Sequence, residues 1–428
     1  MIKASLIEHI FKAASISRWN DYPKMVNLVE LDKQAHKFII AYFIAKFEDD
    51  VDMNYIIEGG IFDFLLRVMV TDIRPDVFHQ IQKTKSKKIN EWVIDNYENE
   101  LKAIEDGKFY ERFKNYLLKK DSSYQKERVI LKAASYLSTK WEFNIVYQTS
   151  QFLSDIEELK NSVDAELEDY YELTGVRKII MNKKLARIVD LSGRLRFQKR
   201  WAQTPRIPET SVLGHMLVVA ILGYFYSLKI KSCKKRVEFN FFCALFHDLP
   251  ESLTRDIISP VKYGIKGLNE ILNEYEMRLI DDKILPFVPE VVKDEFSYIL
   301  GIRKSGEKFV KYEFEDRIFK TAPKPLPKNF KEINLDEYRT IDGKALKYCD
   351  KLAAFFEAGI SISYGVKSKE LIGGFESSLK FFKENPLNDE VDFYEICKDF
   401  MRFFDLKDPF SDGMTEHRTC SQQILIQV

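Results

Sequence analysis

Two stretches of this chain, IFDFLLRVMVTDI (61 to 73) and LFHDLPESLTRDI (245 to 257), align without a gap. Phe62 falls on Phe246, Leu65 on Leu249, and Asp72-Ile73 on Asp256-Ile257. Farther along, LKAASYLSTKWEFNI (131 to 145) lies on LKYCDKLAAFFEAGI (346 to 360), matching Leu131, Lys132, Leu137, Glu142 and Ile145. Upstream, Arg18-Trp19 echoes Arg200-Trp201, and His36 precedes an apolar helix as His215 does. Matched segments in the same order point to a duplicated unit. Apolar residues recur at three-to-four spacing, as in LDKQAHKFIIAYFIAKFEDD and KELIGGFESSLKFFKENP, while alternating β-branched runs are scarce. The expected architecture is all-α: a tandem of helical bundles over about 1–178 and 179–411, with a polar tail at 412–428.

A chain of 428 residues, 45% hydrophobic and 31% charged, can bury a large core. Its 66 basic and 66 acidic residues leave no basic field to attract nucleic acid. No apolar run reaches the ~18 residues of a membrane span, and MIKASLIEHIFKAAS lacks a signal-peptide core. Five scattered cysteines, never spaced as CxxC, suit reduced thiols in a cytoplasm rather than a disulfide frame or zinc ribbon. Cys243 and Cys349 read as small buried side chains. Prolines gather at joints, and APKPLPKNF (322 to 330) reads as an exposed loop.

Chemistry concentrates in the second unit. His247-Asp248 closes the apolar run FNFFCALF, where an imidazole and a carboxylate require a partner. A divalent cation is such a partner, and His215 and Asp350, each on an apolar helix, supply two further donors. Glu251 follows at helical spacing, on the face of the metal pair, placed to take a proton from an attacking water. Asp256 comes just beyond, positioned to meet the leaving-group oxygen or orient the water. At the matching positions the first unit carries Asp63, Phe64, Ser135 and Arg67, with His36 as its one retained candidate ligand. It should therefore be metal-free, a structural or regulatory half.

These residues, RLRFQKRW followed by His215, then FHDLPESLTRDIISPVKY and ALKYCDKLAAFFEAG, resemble the HD-domain metal-dependent phosphohydrolases. Within that superfamily the segment 194–365 is most similar to bacterial 5'-deoxynucleotidases. The resemblance implies metal ligation by His215, His247, Asp248 and Asp350, and assistance to water by Glu251. It further implies contact of Asp256 with the sugar 5' oxygen, and nucleotide binding by Arg200 and Trp201, which exclude a 2'-hydroxyl. Lys262 is a phosphate contact by position. Three departures stand out: Gly214 replaces the family's glutamate before the metal histidine, the stretch from Asp248 to Asp350 is long, and the first unit is an addition.

The expected protein is a phosphohydrolase holding one divalent cation (Mn, Co, Ni, Fe or Zn) and cleaving a nucleotide phosphate ester. A deoxynucleoside 5'-monophosphate is the favoured substrate. Nucleoside triphosphates, signalling nucleotides and a non-catalytic nucleotide sensor are the alternatives. The partners expected are a nucleotide, no membrane and no nucleic acid, with the halves packed as a pseudo-dimer and room for a homo-oligomer.

Overall fold

Long amphipathic and apolar segments build this molecule almost entirely from helices. A computed structural model describes residues 2–410 apart from 72, 74, 120–121, 182, 256–264, 266, 306–307, 320–332 and 389. In the first half, α1 (Ala4–Lys12), α2 (Glu30–Ala45), α3 (Met53–Val70) and α4 (Gln125–Ser150) frame the core. Asp52 caps α3 by accepting from the Asn54 amide at 2.9 Å. The second half follows through α5 (Lys184–Arg194), α6 (Val212–Lys229), α7 (Lys234–Phe246) and the short α8 (Glu251–Thr254). After α8 come two antiparallel pairs: β1 (Ile302–Ser305) with β2 (Lys308–Lys311), and β3 (Asp316–Arg317) with β4 (Ile341–Asp342). Helices α9 (Gly343–Ser363), α10 (Lys369–Glu384) and α11 (Phe393–Phe403) complete the fold. These short strands leave the fold all-α as expected, and they belong to the long stretch ahead of Asp350.

Local structure recurs between the halves. The bridge Ser17↔Val29 has its match in Lys199↔Ser211. The Arg18 amide donates to the Leu28 carbonyl at 2.7 Å, and that of Arg200 to Thr210 at 2.9 Å. Trp19 (φ 58) and Trp201 (φ 56) share a left-handed backbone, as do Thr71 (φ 62) and Arg255 (φ 65) after α3 and α8. A non-glycine residue with positive φ is uncommon, so coincident outliers are informative.

This register corrects one expected equivalence. Lys33 follows Val29 by the same interval at which His215 follows Ser211, so Lys33, not His36, is the counterpart of His215. His36 points elsewhere: its Nε2 lies 2.9 Å from the Val189 carbonyl and its Nδ1 3.1 Å from Arg196.

The halves share one hydrophobic core, in which α2 packs directly on α6. Tyr42 of α2 sits among Phe242, Phe246 and Phe296, with ring centroids 4.7, 5.3 and 6.3 Å away. Tyr224 of α6 reaches back to Glu58 of α3. Ser211 caps α6 and donates to Asp32 Oδ1 at 2.6 Å, where a Cβ added at Gly214 would stand 2.8 Å from the same oxygen. A glycine is thus required there by the first half. Helix α6 itself is long and apolar enough to cross a membrane, contrary to the sequence expectation, but 89% of it is buried inside the protein. APKPLPKNF and the tail lie outside the described residues.

Candidate metal centre

Three helices deliver the donors. His215 projects from the first turn of α6, His247 caps α7, and Asp350 lies on α9. Ligand atoms of His215, His247 and Asp248 all fall within 4.8 Å of one another. Asp350 Oδ1 joins them at 2.9 Å from His215 Nε2, while Asp248 Oδ2 lies 3.0 Å from His247 Nε2. The expected set is therefore brought together.

The imidazoles are oriented for ligation. His247 Nδ1 donates to the Ala244 carbonyl at 2.7 Å, which leaves Nε2 as the ring nitrogen that faces Asp248. That Nε2 is buried and has no hydrogen-bond partner among the described residues. His215 Nδ1 faces Glu357 Oε1 at 3.3 Å, a carboxylate behind a histidine that fixes its ring. Two imidazole nitrogens and two carboxylates in one buried cluster fit a divalent cation. Electrostatics agree. Burial opposes its charge, yet Asp248 pushes the His247 imidazole up to about 10. The Asp248 carboxyl is held well below the usual range by His247 and Arg200, against its own burial. A pair that retains a proton so strongly supplies the field a cation needs.

Glu251 does not share one helical turn with His247 and Asp248 as expected, though its amide donates to the Asp248 carbonyl at 3.0 Å. Helix α7 ends at Phe246, and Pro250, which lacks an N–H, sits in the turn before α8 opens at Glu251. The Glu251 carbonyl accepts from Gln198 Nε2 at 2.9 Å, tying this turn to the segment that carries Arg200. Arg200 NH1 stands 3.9 Å from Asp248 Oδ2, and its Nε 3.7 Å from Glu357 Oε2. Trp201 Nε1 donates to Glu357 Oε2 at 2.9 Å. Arg200 and Trp201 thus border the cluster. Asp256 and Lys262 lie outside the described residues.

Sequence reasoning missed the hub. Glu357, two helical turns beyond Asp350 and fully buried, also accepts from Thr210 Oγ1 at 2.8 Å. Burial works against its ionisation, but Arg206, Arg200 and His215 hold it well below the ordinary carboxylate range. The signal was present: Glu142 and Glu357 align, and an acidic residue retained on an apolar helix needs a reason. Glu313 was missed too. It is buried after β2, pairs with Lys311 at 3.1 Å, and is followed by Phe314, whose ring lies 6.1 Å from His247. Burial raises the Glu313 carboxyl, with Lys311 and His247 opposing. Gly301, at φ +65, lets the Glu313 backbone pass within 2.4 Å of where a Cβ would be.

With this geometry in place, residues 192–378 match the family model of the HD domain. That part of the chain is similar to the HD domain. Within that class it is similar to 5'-deoxynucleotidases. It is 30% identical over 114 residues to the 5'-deoxynucleotidase of Cronobacter sakazakii, covering 25% of this chain and 55% of that one. With a 5'-deoxynucleotidase of Enterobacter sp. (strain 638) it shares 28% over 121 residues, 27% of this chain and 59% of that one. The chain thus spans just over half the length of these curated relatives. A solved HD-domain phosphohydrolase from Listeria innocua shares 19% identity and a TM-score of 0.34, over 50% of this chain and 93% of that one.

Proposed function

We propose that the second half is a phosphohydrolase that cleaves the phosphate ester of a nucleotide, most favourably a deoxynucleoside 5'-monophosphate, to nucleoside and phosphate. The observation that carries this reading is the convergence of His215, His247, Asp248 and Asp350 beside Arg200. In it, the four ligands hold one divalent cation, which when bound polarises the phosphoryl group and neutralises its charge. Glu251 takes a proton from the water that attacks phosphorus. The bond from phosphorus to the ester oxygen breaks, and that oxygen leaves with a proton, a step for which Asp256 is the candidate by resemblance. Arg200 offers a guanidinium fork to the phosphate dianion. Trp201, pinned through its indole N–H, presents an aromatic wall to sugar or base. Lys262 is the further phosphate contact on this reading. The first half serves as a degenerate, metal-free copy packed on the second as a pseudo-dimer.

Similarity to 5'-deoxynucleotidases supports the monophosphate as substrate. The test is phosphate release by the metal-stripped chain from deoxy- and ribonucleoside mono- and triphosphates, with Mn, Co, Zn or Mg added back. Metal-dependent release from deoxymonophosphates alone is expected. Release of tripolyphosphate from triphosphates moves the substrate class. Metal binding without turnover of any of them leaves a sensor in place of an enzyme.

A further inference from the structure

The counterpart of the metal centre in the first half is a charged interior cluster to which the mechanism gives no task. Lys33 stands at the position of His215, Asp63 at that of His247, Phe64 at that of Asp248, and Ser135 at that of Asp350. Lys33 Nζ donates to Ser135 Oγ at 2.5 Å, reproducing with an ammonium and a hydroxyl the contact of His215 with Asp350. Asp63 is taken by Lys37 at 2.7 Å and by the Tyr116 hydroxyl at 2.9 Å, and Phe64 brings no donor. Such a set does not hold a divalent cation.

The clamp beside it is nevertheless kept. Arg18 Nε and Trp19 Nε1 donate to Glu142 Oε2 at 2.8 and 3.2 Å, as Arg200 and Trp201 face Glu357. Trp19 also repeats the left-handed backbone of Trp201. Two cations share one acid here: Arg67 stands 3.8 Å from Glu30, which Arg18 already engages at 2.7 Å. Among the described residues the Lys33 ammonium makes its one hydrogen bond to Ser135 and no ion pair. It is buried, and burial together with Arg18 and Lys37 pulls it down to about 7 against the opposing pull of Glu30 and Glu142. An anion brought to it would restore the full charge. Solvent reaches the cluster at Asp63 and Arg67, whose side chains are 35% and 18% exposed.

We propose that the first half binds a nucleotide phosphate monoester without metal, the Lys33 ammonium supplying the positive charge that a cation supplies in the second half. Arg18 and Trp19 take the roles proposed for Arg200 and Trp201, so the inference rests on that reading. Glu142 also accepts from Arg196 NH1 at 2.8 Å, which ties the first site to the segment that leads to Arg200-Trp201.

The test is titration of the full chain, stripped of metal and held in chelator, with deoxyadenosine monophosphate, inorganic phosphate and deoxyadenosine. One metal-independent site for the monophosphate is expected, with inorganic phosphate competing for it. Lys33→Met should weaken it at least about tenfold. Ser135→Asp, which sets a carboxylate against the ammonium and leaves the lysine in place, should do the same. Asp248→Ala should leave it intact. No metal-independent binding, binding that survives both first-half variants, or binding lost with Asp248→Ala would overturn the proposal. Phosphate release with metal restored reads the second half separately, so the two readings fail independently.

Discussion

The two halves pose the same scaffold problem and answer it with different charges. In each, a buried glutamate on the long helix gathers the Arg-Trp pair of a preceding turn: Glu142 with Arg18-Trp19, Glu357 with Arg200-Trp201. Beside Glu357, two imidazoles and two carboxylates crowd one point. Beside Glu142, a lysine and a serine meet instead. The comparison separates framework from chemistry. A helix-borne carboxylate and a left-handed tryptophan belong to the framework, because they persist beside a lysine and a serine as well as beside the candidate metal ligands. The donors that differ belong to the proposed reaction.

The sharpest break of that comparison is Asp248→Ala. It gives the second half an apolar residue where the first half carries Phe64, so bound metal and phosphate release should both fall to background. Elemental analysis beside the release assay checks this; retained metal would mean the cation sits elsewhere. Glu251→Gln comes next. It keeps the shape of the turn and removes the base, so turnover should drop roughly 10²- to 10⁴-fold with metal content unchanged. Loss of metal together with rate would instead make Glu251 a ligand.

The glutamate hubs sharpen the comparison from the framework side. Glu142→Gln leaves Arg18 and Arg196 buried beside a neutral group, and breaking such a pair costs about 3–5 kcal/mol. Denaturant midpoints should register that loss, and metal affinity should not move. Glu357→Gln removes the carboxylate behind His215, which should weaken metal binding or activity about 10–100-fold. If the two variants behave alike, destabilising without touching the metal, Glu357 is framework only.

How much of this was legible beforehand follows from what each signal depends on. His215, His247, Asp248 and Asp350 were readable because charged donors on apolar helices have few alternative explanations. The helical architecture was readable from period alone. The register between halves was not: His36 looked like the partner of His215 because both precede apolar runs. The two bridges and the left-handed tryptophans, features of backbone geometry, give Lys33 that place. The break between His247 and Glu251 hinges on Pro250, whose missing N–H interrupts the helical ladder there. Glu313 and Lys311 reach the site only through the strand pairs of the long intervening stretch, a tertiary placement that no local pattern announces.

The smallest effect in prospect contrasts two buried histidines, one in each half. Burial and Arg196 pull His36 down to about 3, so the folded state resists the proton that the unfolded chain accepts near 6.5. Its contribution is fully present above about pH 6.5 and is lost as pH falls toward 3, with a limiting slope of about 1.4 kcal/mol per pH unit. His247 in the metal-stripped chain is raised to about 10, so its contribution is present below about 6.5 and lost as pH rises toward 10. Urea midpoints of the metal-stripped chain between pH 4 and pH 9 separate the two, since His36→Gln should flatten the acid limb alone and His247→Gln the alkaline limb alone. An acid limb unchanged by His36→Gln would assign it to the buried carboxylates, and the first half would then carry no titrating core histidine.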